Sequence, residues 1–218
     1  MKLASTFTLL FALIFSTGVN AQDAKAKAIL DGLSKKTKAY SSIKADFSYT
    51  LENKDQNINE SQAGTIYIKG PKYKLNIAGQ EVISDGTTMW TYLKDAGECQ
   101  VQNVPDESQE DAISPSNIFT IYEKGFKYKY EGEKTSGGKT LQNIILFPTD
   151  PKDKPYHTVK LFIDKAAQQI HSIEVIGKDG NKYTYLVKTF TPNVTINESM
   201  FTFNPAQHPK VDVIDLRD

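Results

Sequence analysis

The sequence predicts a mainly β protein in which a large curved antiparallel sheet forms an incomplete, unclosed barrel and amphipathic helices cover its concave face. Three observations carry this expectation. From residue 43 onward apolar and polar residues alternate with period two over about ten segments, which is the pattern of strands with one wet face. The breaks between segments are short and rich in Gly, Asp and Pro, as hairpins require. Helical periodicity occurs only twice.

The elements follow in order. Lys2, the apolar run Leu3 to Phe15, and the small residues around Val19-Asn20-Ala21 have the layout of a secretory signal over residues 1–21, with cleavage before Gln22. Because Gln22 is not a cysteine, the mature chain is expected to carry no lipid of its own. Ala24 to Tyr40 places Ala26, Ile29, Leu30, Leu33 and Tyr40 on one stripe, with Asp23 as a cap and Lys35, Lys36 and Lys38 at the negative end of the dipole. Ile43 to Glu52 then alternates strictly. Further strands are expected at Thr65 to Lys69, Lys72 to Ala78, Thr87 to Leu93 and Cys99 to Val104. A second, short helix is expected from Ser114-Pro115 to Gly125, bracketed by a serine cap, a first-turn proline and a terminal glycine. Five more strands follow, Phe126 to Tyr130, Leu141 to Phe147, Thr158 to Asp164, Gln169 to Ile176 and Tyr183 to Phe190. The irregular stretch Pro148 to Pro155 lies between two strands, so residues 22–218 read as one domain.

Composition narrows the function. The 218 residues carry 26 Lys plus Arg against 26 Asp plus Glu, which gives no electrostatic footprint for nucleic acid. Arg217 is the only arginine, so guanidinium clusters for phosphate are excluded. Cys99 stands alone, which rules out an internal disulfide, and it reads as a small inward-facing strand residue. His157, His171 and His208 are dispersed without metal-ligand spacing, and no metal or cofactor is expected. There is no Gly-x-Ser-x-Gly elbow, and Asp46, Glu52 and Asp164 sit on polar strand faces, so nothing points to catalysis. The informative feature is aromatic. Phe, Tyr and Trp make up 11% of the chain and recur in almost every element. A sheet of this width encloses more interior than two short helices can fill, which leaves room for a ligand.

Gly64-Thr65-Ile66-Tyr67-Ile68-Lys69-Gly70-Pro71, the block Val82-Ile83-Ser84-Asp85-Gly86-Thr87-Thr88-Met89-Trp90-Thr91-Tyr92, the opening Ser114-Pro115 and the late Phe201-Thr202-Phe203 together resemble the outer-membrane lipoprotein carrier family. The resemblance runs in order from about residue 24 to 215. It implies a periplasmic protein that solves a solvation problem: roughly three acyl chains, at ~0.8 kcal/mol per methylene, cannot cross water unaided. It also implies acylated lipoproteins as cargo, an inner-membrane ABC-type lipoprotein-releasing complex as donor, and an outer-membrane acceptor whose identity the sequence does not give. A monomer is expected. Where the proteobacterial pattern has Arg-Pro, this chain has Gly70-Pro71, so the arginine that ties sheet to lid in that branch is absent at this position and no latch residue is assigned. Lys69, Lys72 and Lys74 supply positive charge nearby without a planar fork of donors. The expected lipid site comprises Phe47, Tyr49, Ile66, Ile68, Leu75, Trp90 and Tyr92 from the sheet. Ile29, Leu33, Ile118, Phe119 and Tyr122 join them from the helices, and Trp90 is expected to report ligand entry by fluorescence. Two alternatives stand beside the carrier: a module of the same fold that holds a free lipid or senses envelope lipoproteins, and an enzyme using the same cavity.

Overall fold

The computed structural model describes residues 18–105, 115, 117–152 and 154–217, and side chains of the first helix from residue 23 onward. Helix α1 (Gly18–Lys38) buries Ala26, Leu30 and Leu33, spaced four and three apart so that they share a face. It begins ahead of Asp23, which therefore lies inside the helix and is not its cap. Lys36 reaches the Ala167 carbonyl at 2.5 Å, fixing the end of α1 against a sheet turn.

All the described strands belong to one sheet. β1 (Ile43–Asn53), β2 (Ile58–Lys69), β3 (Lys72–Ile77), β4 (Gln80–Ser84), β5 (Thr88–Leu93) and β6 (Glu98–Asn103) form one antiparallel meander. β7 (Phe126–Ser136), β8 (Lys139–Pro148), β9 (Tyr156–Asp164), β10 (Gln169–Gly177) and β11 (Lys182–Pro192) form a second. A seam between β1 and β11, running from Ile43 opposite Pro192 to Glu52 opposite Lys182, sews the two together. The short β12 (Asp212–Asp215) adds parallel to β6. β12 and β7 stand at opposite ends of the order and do not pair, so the sheet is unclosed, as expected.

Register decides which side chains face inward. Ala45 lies opposite Ile66, and Ile66 opposite Leu75, which lies opposite Val82. On the other side of the seam Tyr185 lies opposite Ile173, which lies opposite Leu161 and so faces Ile144 on β8. These residues share one hydrophobic core with α1. Both meanders and α1 contribute side chains to this one core, with α1 lying against β7.

The expected second helix needs correction. The stretch expected as a second helix forms turns at 117–120 and one 3₁₀ turn, Ile121–Glu123; Ser114 lies outside the described residues. Phe119, Thr120 and Ile121 are β-branched or aromatic and propagate a helix poorly, while a short isolated helix gains little to offset its nucleation. The helical cover is thus one α-helix and one 3₁₀ turn among the described residues. The glycine at position 70 has a conformational reason. Gly70 sits at φ +57 in the two-residue turn between β2 and β3, a backbone that favours glycine over any side chain-bearing residue. The flanking Lys69 and Lys72, at 2.8 Å for Lys72, both pair with Glu198, while Lys74 pairs with Glu81 at 2.8 Å. Lys69 and then Lys72 hold the Glu198 carboxyl down at about 2. These lysines therefore bind the C-terminal 3₁₀ turn Glu198–Phe201 and strand β4, leaving none of them on the helical cover.

Candidate functional site

A cavity of about 440 Å³ opens on the inner face, under the segment that carries Pro115, Ile118 and Phe119. Its volume lies in the lower half of the range usual for small-molecule sites, about 300–1,000 Å³. Phe47 and Tyr49 reach it from β1, Ile66 and Gln62 from β2, and Leu75 and Ile77 from β3. Ile173, Tyr185 and Val187 close it from beyond the seam, and Ala78 and Gln80 from the turn into β4. The floor depends on a glycine. Phe47 and Gly64 are cross-strand partners, and a Cβ at Gly64 would lie 2.5 Å from the Phe47 ring, so only glycine lets that ring lie against the sheet.

Tyr49 and Tyr185 also line a second chamber of about 230 Å³, completed by Tyr156, Val175 and Tyr183 among others. The rings of Tyr49 and Tyr185 are 5.3 Å apart and those of Tyr49 and Tyr183 6.3 Å, a wall of stacked and tilted aromatics between the two spaces. Burial pushes the Tyr185 phenol up to about 12 and raises Tyr49 as well, so both remain protonated donors across the physiological range.

Of the expected lipid-site residues, Phe47, Tyr49, Ile66, Leu75, Ile118 and Phe119 meet at this cavity. Ile68, Leu33 and Tyr122 are buried in the adjoining core, and Ile29 packs against it. Burial, foremost, and the neighbouring Glu123 charge raise the Tyr122 phenol. Trp90 and Tyr92 are elsewhere. Ile83 lies opposite Trp90 and Cys99 opposite Tyr92, so these four point to the other face of the sheet. There, with Phe203 and Val211, they form a separate small core. Tyr92, Phe203 and His208 are within 4.9–5.5 Å of one another by ring centroid. The alternation of β5 is real, but both of its faces are covered, and the C-terminal segment covers the one that Trp90 occupies. Cys99 is fully buried in this second core, and burial pushes its thiol up to about 11, an inert structural cysteine. Loading the cavity is accordingly expected to leave Trp90 emission unchanged, and global unfolding to red-shift it; a blue shift on adding a long-chain detergent below its micelle concentration would contradict this placement.

Sequence reasoning missed Gln62, Ile77, Gln80, Ile173, Tyr185 and Val187. Alternation placed most of these on strands, but only the register across β1, β2 and β11 shows that they converge.

The covering segment is held to α1 by one carboxylate. Glu123 accepts from Ser34 at 2.5 Å and pairs with Lys38 at 2.6 Å. Burial alone would raise this carboxyl, but Lys38 and Ser34 hold it below its ordinary value. A depressed folded pKa contributes stability above the unfolded carboxylate value and loses it as pH falls through that range. Glu123→Gln is therefore expected to lower thermal stability at neutral pH by the modest amount of a surface pair, up to about 1 kcal/mol, with the difference from the parent closing below about pH 4. Scanning calorimetry across pH checks it.

The geometry is that of an apolar cavity under an unclosed sheet, and among the described residues no group of three or more metal-ligating side chains accompanies it. Likewise, no described helix is long and apolar enough to cross a membrane. The model of the family described as outer membrane lipoprotein carrier protein LolA matches residues 38–204, and the chain belongs to that family. No curated protein matches it in sequence. Among solved structures it is similar to an uncharacterized conserved protein from Thermus thermophilus, with a TM-score of 0.57 and 14% identity over 88% of this chain and 99% of that one. It is also similar to the Mycobacterium tuberculosis lipoprotein LppX, with a TM-score of 0.49 and 14% identity over 80% and 98%. A LolA superfamily protein from Nitrosomonas europaea gives 0.44 and 12% over 82% and 97%. At such identities the likeness to the Thermus protein speaks for the fold alone.

Proposed function

We propose that this protein is a periplasmic carrier that binds lipoprotein acyl chains non-covalently in the inner-face cavity and shuttles lipoproteins from the inner to the outer membrane. The observation that supports it is the apolar cavity between sheet and covering segment in a chain of the carrier family. On this reading residues 1–21 are the signal removed on export, the mature chain is a monomer, and it receives its cargo from an inner-membrane ABC-type complex. Burial of acyl methylenes at ~0.8 kcal/mol each supplies the affinity. Ile118 and Phe119 line the cavity from the covering segment, and a guest that must shift them binds with lower net affinity, at a level that permits hand-off. No catalytic group is part of the reading.

The test is release of newly made lipoprotein from inner-membrane spheroplasts by the purified protein, with extraction and mass spectrometry of what it carries. Release above a buffer control, with acylated lipoprotein bound to a chain beginning at Gln22, is the expected result. Protein that binds free lipid but releases no lipoprotein would replace the carrier by the lipid-holding alternative.

A further inference from the structure

Three of the cavity's polar side chains are aligned. Gln62 lies opposite Tyr49 across β2 and β1, and Tyr49 lies opposite Tyr185 across β1 and β11. The three form one row over three adjacent strands, all on the cavity side. The next row inward is apolar, Gly64, Phe47 and Val187, and beyond it come Ile66 and Leu75. The side chains of Gln62, Tyr49 and Tyr185 make no hydrogen bond to any described residue, although they line a largely apolar space. Tyr49 and Tyr185 are half-buried and Gln62 is exposed, so the row lies where the apolar floor meets water, with its donors available to a ligand. The Tyr185 ring is fixed between Phe47 at 6.5 Å and Tyr49 at 5.3 Å, so its hydroxyl is positioned before any ligand binds. Among the described residues no lysine, arginine, histidine, aspartate or glutamate lines the cavity.

We propose that the row Gln62, Tyr49 and Tyr185 recognises the neutral carbonyl linkage, ester or amide, that joins an acyl chain to the rest of its molecule, so that the cavity takes linked acyl chains in preference to free fatty acids. This rests on the acyl-binding function proposed above and specifies its ligand. The tail lies along Phe47, Ile66 and Leu75, and its carbonyl oxygen accepts from the phenols and the carboxamide. Two phenolic donors and a carboxamide complement a carbonyl acceptor. A carboxylate in the same place would give up part of its hydration to half-buried aromatic surface with no cation to face.

The experiment is titration calorimetry of the purified processed protein at neutral pH with monolauroylglycerol, with laurate, and with a synthetic lipopeptide whose amino-terminal cysteine carries a diacylglyceryl group. Monolauroylglycerol and the lipopeptide are expected to bind at least about fivefold more tightly than laurate, the size of one neutral hydrogen bond. Tyr49→Phe and Tyr185→Phe, which keep the rings and their packing, should each weaken both linked probes by roughly fivefold and leave laurate unchanged. Whichever linked probe binds more tightly names the source, lipoprotein or free glycerolipid. Equal affinity for laurate and monolauroylglycerol, or folded Tyr→Phe variants that bind every probe like the parent, would overturn the assignment of the row while leaving acyl binding intact. Failure of all three probes to bind the parent would remove both.

Discussion

Leu75→Glu is expected to give a folded protein that releases no lipoprotein from inner-membrane spheroplasts. Leu75 is only half-buried, lines the cavity, and lies between Ile66 and Val82 in the sheet register. In the empty protein its replacement can keep a carboxylate in contact with water, so the fold should survive. With an acyl chain seated the carboxylate would be stripped of water without a partner, and a penalty of ~2 kcal/mol or more already removes over tenfold in affinity. Ile68 is a poorer choice for this test because it is buried in the main core and does not line the cavity. Asp46→Asn is the control. Asp46 is on the outer face, where Thr65 and Thr189 donate to it at 2.7 and 2.6 Å, and its replacement should leave release near normal. Parent-like release by Leu75→Glu that is monomeric and folded by circular dichroism would mean that cargo does not enter this cavity.

Phe201→Ala is expected to produce the largest loss of stability, about 3–5 kcal/mol. Its ring, 1% exposed, sits in the 3₁₀ turn that packs on β3 and β4. Removing it leaves a void in a place where Asn197 caps the turn and Glu198 is bound by two lysines, so the backbone has little freedom to collapse into the gap. Urea unfolding followed by Trp90 emission measures it. A loss under about 1 kcal/mol would mean that the capping and ion pairs, and not the ring, hold the C-terminal segment on the sheet.

Most of the sheet was legible in the sequence because a strand wet on one face must alternate, and β1 shows this from Ile43 to Glu52. Where that condition fails, so does the reading. β4 was not singled out because Ile83 and Ser84 are both buried, Ile83 in the small core and Ser84 beside Tyr73 of the main one, and the alternation disappears. The first half of β2 extends past the core as exposed polar residues and carries no apolar signal. β12 is four residues long and mostly exposed. The site was legible to the same degree. Phe47, Tyr49, Ile66 and Leu75 were found because they point inward from neighbouring strands. Trp90 and Tyr92 were misplaced because period two says that two faces differ and not which one meets the helix. Tyr185 and Gln62 were missed because their partnership with Tyr49 joins residues far apart in the chain, and no local pattern reports it.

The seam between the meanders has a kinetic consequence. β1 must wait for β11, since Ile43 pairs with Pro192 and the intervening strands pair mostly with their immediate neighbours. Each meander can form hairpins on its own, yet the core that α1 shares with both requires contacts between the two ends of the chain. Contacts of such long sequence separation are entropically expensive to nucleate and place folding on the slow side for a domain of this size. During synthesis, with β11 still inside the ribosome, the emerging β1 edge and the inner face have no partner. Until β11 has emerged, the chain can hold local hairpins but lacks the contacts that close the core shared by both meanders.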